Sequence, residues 1–154
     1  MDNWTANGTD LLDPPVHWWI NRTTTQAMDG TTSLQLQLDN LNDAGKIWIQ
    51  RAFHVDPTSQ YYISVSYQFG TSDYGMNLFR IITSVTAEPP ASAGLIYQDE
   101  TGNGVNTTNL IWFPKSYDFV ATSSATGTLY ISIGVWGTWE TSRTYYLDDV
   151  NVTF

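Results

Sequence analysis

The side chains in this sequence best equipped to do chemistry are aromatic. Seven Trp and nine Tyr stand among 154 residues, more than a small core normally takes. Sugars present flat patches of C–H bonds that stack on aromatic faces, while their equatorial hydroxyls bond to Asn, Gln, Asp and Arg. The pattern to look for is therefore an exposed ring beside amide side chains. Trp136 and Trp139 fall in the stretch from Gly134 to Thr144, which reads as a long connection, and they are the leading candidates. Tyr74, between Asp73 and Gly75, is another loop aromatic. Trp48 alternates with Ile49, so it lies opposite the core face of its strand, beside Gln50 and His54. Tyr62 and Gln68 share an outward face in the following strand. Trp18 and Trp19 are adjacent, and in an extended chain only one of them can point inwards. The competing reading is that most of these rings cover the ends of a sandwich or pack against loops. Trp112 is assigned to the core.

The acidic residues offer less. A glycoside hydrolase needs two carboxylates about 5–10 Å apart across a cleft. Glu is limited to Glu88, Glu100 and Glu140, all in segments read as loops, and no strand carries alternating acids. Gly-x-Ser-x-Gly, His-Glu-x-x-His and phosphate-loop patterns are missing. His17 and His54 lie on different segments without ligand spacing. The reading is a binding protein and not an enzyme. Asp148 is the acid that calls for a partner. In an alternating strand Tyr146, Asp148, Val150 and Val152 share a face, and the two valines mark that face as core. A carboxylate buried there needs a cation, an Arg such as Arg51, or several N–H donors. Asp149 points outwards. The acidic tip from Asp99 to Gly104 lacks the spacing of an EF-hand loop and reads as a hairpin end.

The elements that must position these groups are short alternating runs bounded by turn residues, and no helical periodicity lasts three turns. Seven runs read as strands: Ser33–Leu38, Ile47–Val55, Tyr61–Phe69, Met76–Val85, Leu95–Tyr97, Leu129–Ile133 and Tyr145–Phe154. Leu34, Leu36 and Leu38 face one way with Gln35 and Gln37 opposite. Ile49, Phe53 and Val55 face in, and so do Ile63, Val65 and Tyr67 after the Asp56-Pro57-Thr58-Ser59 turn. These patterns predict an all-β, two-sheet antiparallel sandwich, with residues 1–154 as one domain. Hydrophobic residues make up 42% of the chain, enough for a core, and charged residues only 14%. Net charge is −9 with six Lys and Arg, which repels phosphate backbones and anionic bilayers alike. Nucleic acid and membrane insertion are therefore not expected, and no apolar run approaches the length of a membrane span. An acidic, amide-rich surface does suit a neutral glycan. There is no cysteine, which removes disulfides and thiolate chemistry. No signal peptide is read at Met1-Asp2-Asn3-Trp4. Asn-x-Ser/Thr sequons at Asn3, Asn7, Asn21, Asn106 and Asn151 point to an extracellular or cell-surface setting.

The order of segments resembles the jelly-roll carbohydrate-binding modules of the galactose-binding-domain-like superfamily. Asp29-Gly30 before Ser33-Leu34-Gln35-Leu36 is similar to their "small loop, Gly, Ser-Leu-x-Leu" strand. The run from Ile49 to Pro57 into Tyr62-Ile63-Ser64-Val65-Ser66 resembles their central hairpin, and Tyr146-Leu147-Asp148-Asp149-Val150 their closing strand. The likeness spans roughly Met28 to Phe154; the usual opening strand is replaced by Asn7-Gly8-Thr9-Asp10. It implies a jelly-roll sandwich and a non-catalytic module that recognises an oligo- or polysaccharide through exposed aromatics, with Trp136, Trp139, Trp48, Tyr74 and Gln50 as its contacts. It also implies a structural Ca²⁺ held by Asp148, by groups around Asp29 and by an oxygen from Asp10 or Asn7. The alternative is an adhesive or structural surface module without affinity for soluble sugar, whose aromatics are covered in a homo-oligomer.

Overall fold

Successive residues of an extended backbone send their side chains to opposite sides, so a period-two pattern makes strands with one wet and one dry face. The computed structural model describes residues 3–9, 16–40, 45–73, 78–95, 97–100, 109–138 and 141–154. Ten strands form: β1 (Thr5–Gly8), β2 (Val16–Thr23), β3 (Ser33–Asn40), β4 (Lys46–His54), β5 (Gln60–Thr71), β6 (Phe79–Thr86), β7 (Tyr97–Glu100), β8 (Ile111–Thr122), β9 (Thr128–Gly137) and β10 (Thr141–Thr153). Among the described residues the only helical piece is a 3-10 turn, Ser92–Gly94. Sheet I has the order β1-β4-β9-β6-β7 and sheet II the order β2-β3-β10-β5-β8. All neighbouring pairs are antiparallel. This is the two-sheet antiparallel sandwich that the patterning predicted, with the jelly-roll architecture that the resemblance implied.

The dry faces meet where the alternation placed them. Ile47, Ile49, Ile131 and Ile133 of sheet I face Leu36, Leu38, Ile63 and Val65 of sheet II in one buried cluster. Each such side chain contributes about 1.5–3 kcal/mol by leaving water. Phe69, Phe79 and Tyr145 fill the middle, with Phe79 and Tyr145 ring centroids 4.7 Å apart. A Tyr67–Thr83 hydroxyl pair at 2.7 Å joins the two sheets inside this apolar layer.

Several expectations change. β1, β2 and β8 are strands that the alternation did not announce. β9 continues through Trp136 to Gly137, and β10 begins at Thr141, so Trp136 stands on a strand and not in a long connection. Of the adjacent tryptophans, Trp18 packs on the core and Trp19 is 40% exposed. Trp112 is not in the core. It lies half-buried on the outer face of sheet II, over Gly70 and 6.1 Å from the Tyr146 ring. Among the described residues β8 is an edge strand bonded to β5 alone, and Pro114 interrupts its N–H series, a position proline tolerates.

Asp148 also leaves the face assigned to it. β10 pairs with β5 through Asp148↔Gln68 and resumes at Asn151↔Ser66. Asp149 adopts φ 51°, a left-handed conformation. One extra residue is thus inserted, and a bulge of this kind reverses the phase of a strand. Tyr145 and Leu147 are buried before it, and Val150 and Val152 pack on the core after it. Asp148 therefore lies on the outer side of sheet II, beside the β2–β3 turn.

Candidate functional site

The outer face of sheet I gathers three of the anticipated residues. Register puts Lys46, Trp136 and Arg80 in one row across β4, β9 and β6, then Trp48, Gly134, Ile82 and Tyr97 in the next. Gln50, Ser132 and Ser84 form a third row, with Thr5 of β1 beside Gln50. Ala52, Tyr130 and Thr86 form a fourth.

The first two rows are largely covered. The loop after β6 folds back over them and sets Leu95 against Trp48 and Ile82, with Trp136 packed alongside. Trp48 is only 4% exposed, which corrects its reading as a ligand-stacking ring. Gly134 makes room for it: a Cβ at 134 would come within 2.6 Å of Trp48 Cβ and 2.1 Å of the Ile47 carbonyl. Lys46 latches the loop by donating from Nζ to the carbonyls of Ser92 (2.8 Å) and Leu95 (3.2 Å). Thr9 and Ser92 hydroxyls meet at 2.8 Å. The Lys46 ammonium also sits 5.0 Å from the centre of the Trp136 ring, a favourable cation–π geometry, and burial lowers its pKa from the ordinary lysine value. The Tyr97 ring lies 6.0 Å from Trp136 and under the Arg80 guanidinium at 4.9 Å. Trp136 is thus half-buried in a packed aromatic–cation stack.

The last two rows border open space. A groove of about 550 Å³ runs along β4, lined by Asn3, Thr5, Gln50, His54 and Tyr130 among others. Trp48 serves this groove from beneath. Its Nε1–H donates to Gln50 Oε1 at 2.9 Å, which orients the amide and leaves the Nε2 donors for a ligand. Tyr130 supplies a half-exposed ring across the register from Ala52, a residue too short to cover it. Next to Gln50, the Ser132 and Ser84 hydroxyls are buried and have no hydrogen-bond partner among the described residues. Tyr130 was not among the anticipated contacts, although its alternation with Leu129 and Ile131 marks it as outward. Trp139, Tyr74 and Asp10 lie outside the described residues.

Asp148 and Asp29 stand together elsewhere, on the sheet II side. Asp148 Oδ2 accepts from the backbone N–H of Met28 (2.8 Å) and Asp29 (3.2 Å), and Oδ1 from that of Asp149 (3.0 Å). Asp29 Oδ1 accepts from Gly30 N–H at 2.8 Å. Both oxygens of Asp148 thus face N–H donors, and among the described residues no three acidic or histidine side chains converge. The described donors fit a hydrogen-bonded carboxylate that clamps the β2–β3 turn. A hollow of about 380 Å³ beside it is lined by Trp4, Arg22, Asp148 and Asp149. Asp149 has its pKa raised by desolvation and by the neighbouring Asp148 and Asp29 charges.

No protein-family model matches the chain, and no curated protein matches it. Solved structures share its fold. The K2 cleaved adhesin domain of Lys-gingipain superposes with a TM-score of 0.57 at 15% identity, over 99% of this chain and 89% of that one. The Stig cyclase Fisc from Fischerella sp. TAU gives 0.56 at 10% identity, over 97% and 83%. A structure from work on carbohydrate-binding modules of the β-sandwich superfamily gives 0.55 at 14% identity, over 99% of this chain and 57% of that chain. At such identities the likeness concerns fold, and this fold supports binding, adhesion and catalysis.

Proposed function

We propose that residues 1–154 form a non-catalytic carbohydrate-binding module of an extracellular or cell-surface protein. Its ligand is a neutral oligo- or polysaccharide lying in the groove on sheet I. One observation carries this reading: Tyr130 offers a ring face beside Gln50, whose amide is locked by Trp48 with its donors free. Stacking on one sugar face combined with bonds to its hydroxyl edge is what pyranose recognition needs. The fold shared with carbohydrate-binding modules supports it, and a net charge of −9 favours neutral over anionic partners.

The test is affinity electrophoresis in native gels cast with xylan, β-glucan or galactan. Tyr130→Ala and Gln50→Ala should each weaken retardation about tenfold or more with little change in melting temperature. Trp136→Ala and Trp139→Ala belong in the same series, as the ring contacts expected from sequence. Undiminished retardation in both groove variants removes the site. The likeness to an adhesin domain favours a second reading, an adhesive module. A stable oligomer by sedimentation, with no retardation by any polysaccharide, would select it.

A further inference from the structure

The outer face of sheet II carries a second arrangement of the same chemistry. Register aligns Asn21, Gln35, Tyr146, Gly70 and Trp112 in one row across all five strands. Adjacent strands are about 4.8 Å apart, so this row spans about 19 Å. That strand spacing is close to the length of one β-linked pyranose unit. The neighbouring row begins with Trp19, 40% exposed, followed by Gln37 and Thr144.

The rings on this face are set by the backbone beneath them. Gly70 has no side chain, and a Cβ there would approach the Trp112 ring carbons to 3.0 Å. The Trp112 indole can therefore lean inwards over β5, where its centroid lies 6.1 Å from that of Tyr146 at 53°. The two rings form a shallow V whose walls are ring faces. Gln37 is held by its neighbours: it donates to Ser142 Oγ at 2.6 Å and accepts from Thr144 Oγ1 at 2.5 Å. Apart from the tyrosine, the two rows contain no ionisable group, in a protein whose net charge is −9. A patch of rings and amides without formal charge is matched by a neutral, hydroxyl-rich partner. It offers nothing to a phosphate, and its amides make poor contact with hydrocarbon.

We infer that sheet II bears a second binding face for a neutral polysaccharide, running from Asn21 to Trp112, so that one module holds two chains on opposite sides of the sandwich. This rests on the glycan reading of the groove, and the experiment separates the two. The full chain and its variants are run in the same polysaccharide gels and mixed with long soluble β-glucan or xylan to follow turbidity. Wild type should both be retarded and cross-link the polymer. Trp19→Ala with Trp112→Ala should abolish turbidity while the groove still retards the protein. Tyr130→Ala should also abolish turbidity yet keep residual retardation, which adding Trp112→Ala should weaken by about thirtyfold, the worth of one anchoring aromatic. Gly70→Ala guards against loss of folding, since it displaces the Trp112 ring without removing it and should reproduce part of the loss. If Tyr130→Ala alone removes all retardation, or the sheet II variants cross-link like wild type, the second face is refuted and the groove stands. If wild type is retarded by none of the polymers, both readings fall.

Discussion

Asp148 offers the sharpest test of the geometry. Its carboxylate accepts three backbone N–H groups, at 2.8, 3.2 and 3.0 Å. A bond to a charged acceptor is worth about 1.5–3 kcal/mol when well buried, but Met28 and Asp29 are exposed, so about 1 kcal/mol each is a fairer figure after solvent screening. Asp148→Asn keeps one oxygen for Met28 and Asp29 but turns an NH₂ group towards the Asp149 N–H. That replacement should cost about 1–2 kcal/mol, or a fall of about 2–8 °C in melting temperature for a chain of this size. Asp148→Ala loses all three bonds and should cost about 3 kcal/mol. The assay is thermal unfolding of wild type and both variants, with and without EDTA. If the three N–H donors alone hold the carboxylate, chelation should leave all three midpoints in place. A midpoint that falls with EDTA in wild type but not in Asp148→Ala would refute the reasoning and restore a calcium site.

Two further outcomes follow from other buried groups. The Tyr145 hydroxyl is buried without a hydrogen-bond partner among the described residues, and desolvation pushes its pKa far up, with Arg143 offsetting a little. Tyr145→Phe should therefore raise the melting temperature at neutral pH by about 2–4 °C, relieving about 1 kcal/mol. The folded state holds the phenol proton more tightly than the unfolded one. The Tyr145 contribution to stability should thus be flat below about pH 10 and fall by about 1.4 kcal/mol per unit above it, a slope the Phe variant loses; a less stable variant at pH 7 would show that the hydroxyl is satisfied. Trp48→Phe removes the donor that orients Gln50 and should weaken glycan retardation. If it acts through Gln50, a double-mutant cycle with Gln50→Ala will show strong coupling, whereas additive losses would disconnect Trp48 from the groove.

The hairpin from Ile47 to Tyr67 was legible because Ile47, Ile49, Phe53, Ile63, Val65 and Tyr67 alternate with outward residues and land on the core. β2 was hidden by the Trp18–Trp19 pair, which breaks any simple in–out pattern, and β8 by Pro114. Gly134 and Gly137 suggested a loop, yet Gly134 is strand because the Trp48 side chain needs the space a Cβ would take. The face of Asp148 depends on a left-handed Asp149, and neither glycine nor asparagine signals that turn of the backbone. The site was half readable. Alternation put Trp48 and Gln50 on one sheet face but left Trp136 in a connection, and the burial of Trp48 comes from Leu95, 47 positions along the chain, a contact that no local spacing reveals.

The edge strand β8 bears on how the molecule behaves in a crowd of its own kind. Twelve residues long and unpaired along one side among the described residues, with Ile111 and Val120 exposed, it could recruit a stray strand and seed fibrous growth. Pro114 and Lys115 sit within it, one unable to lend an amide hydrogen and the other carrying charge to the margin. Both features oppose pairing of this margin with another strand edge, which is how an exposed strand is kept from nucleating assembly.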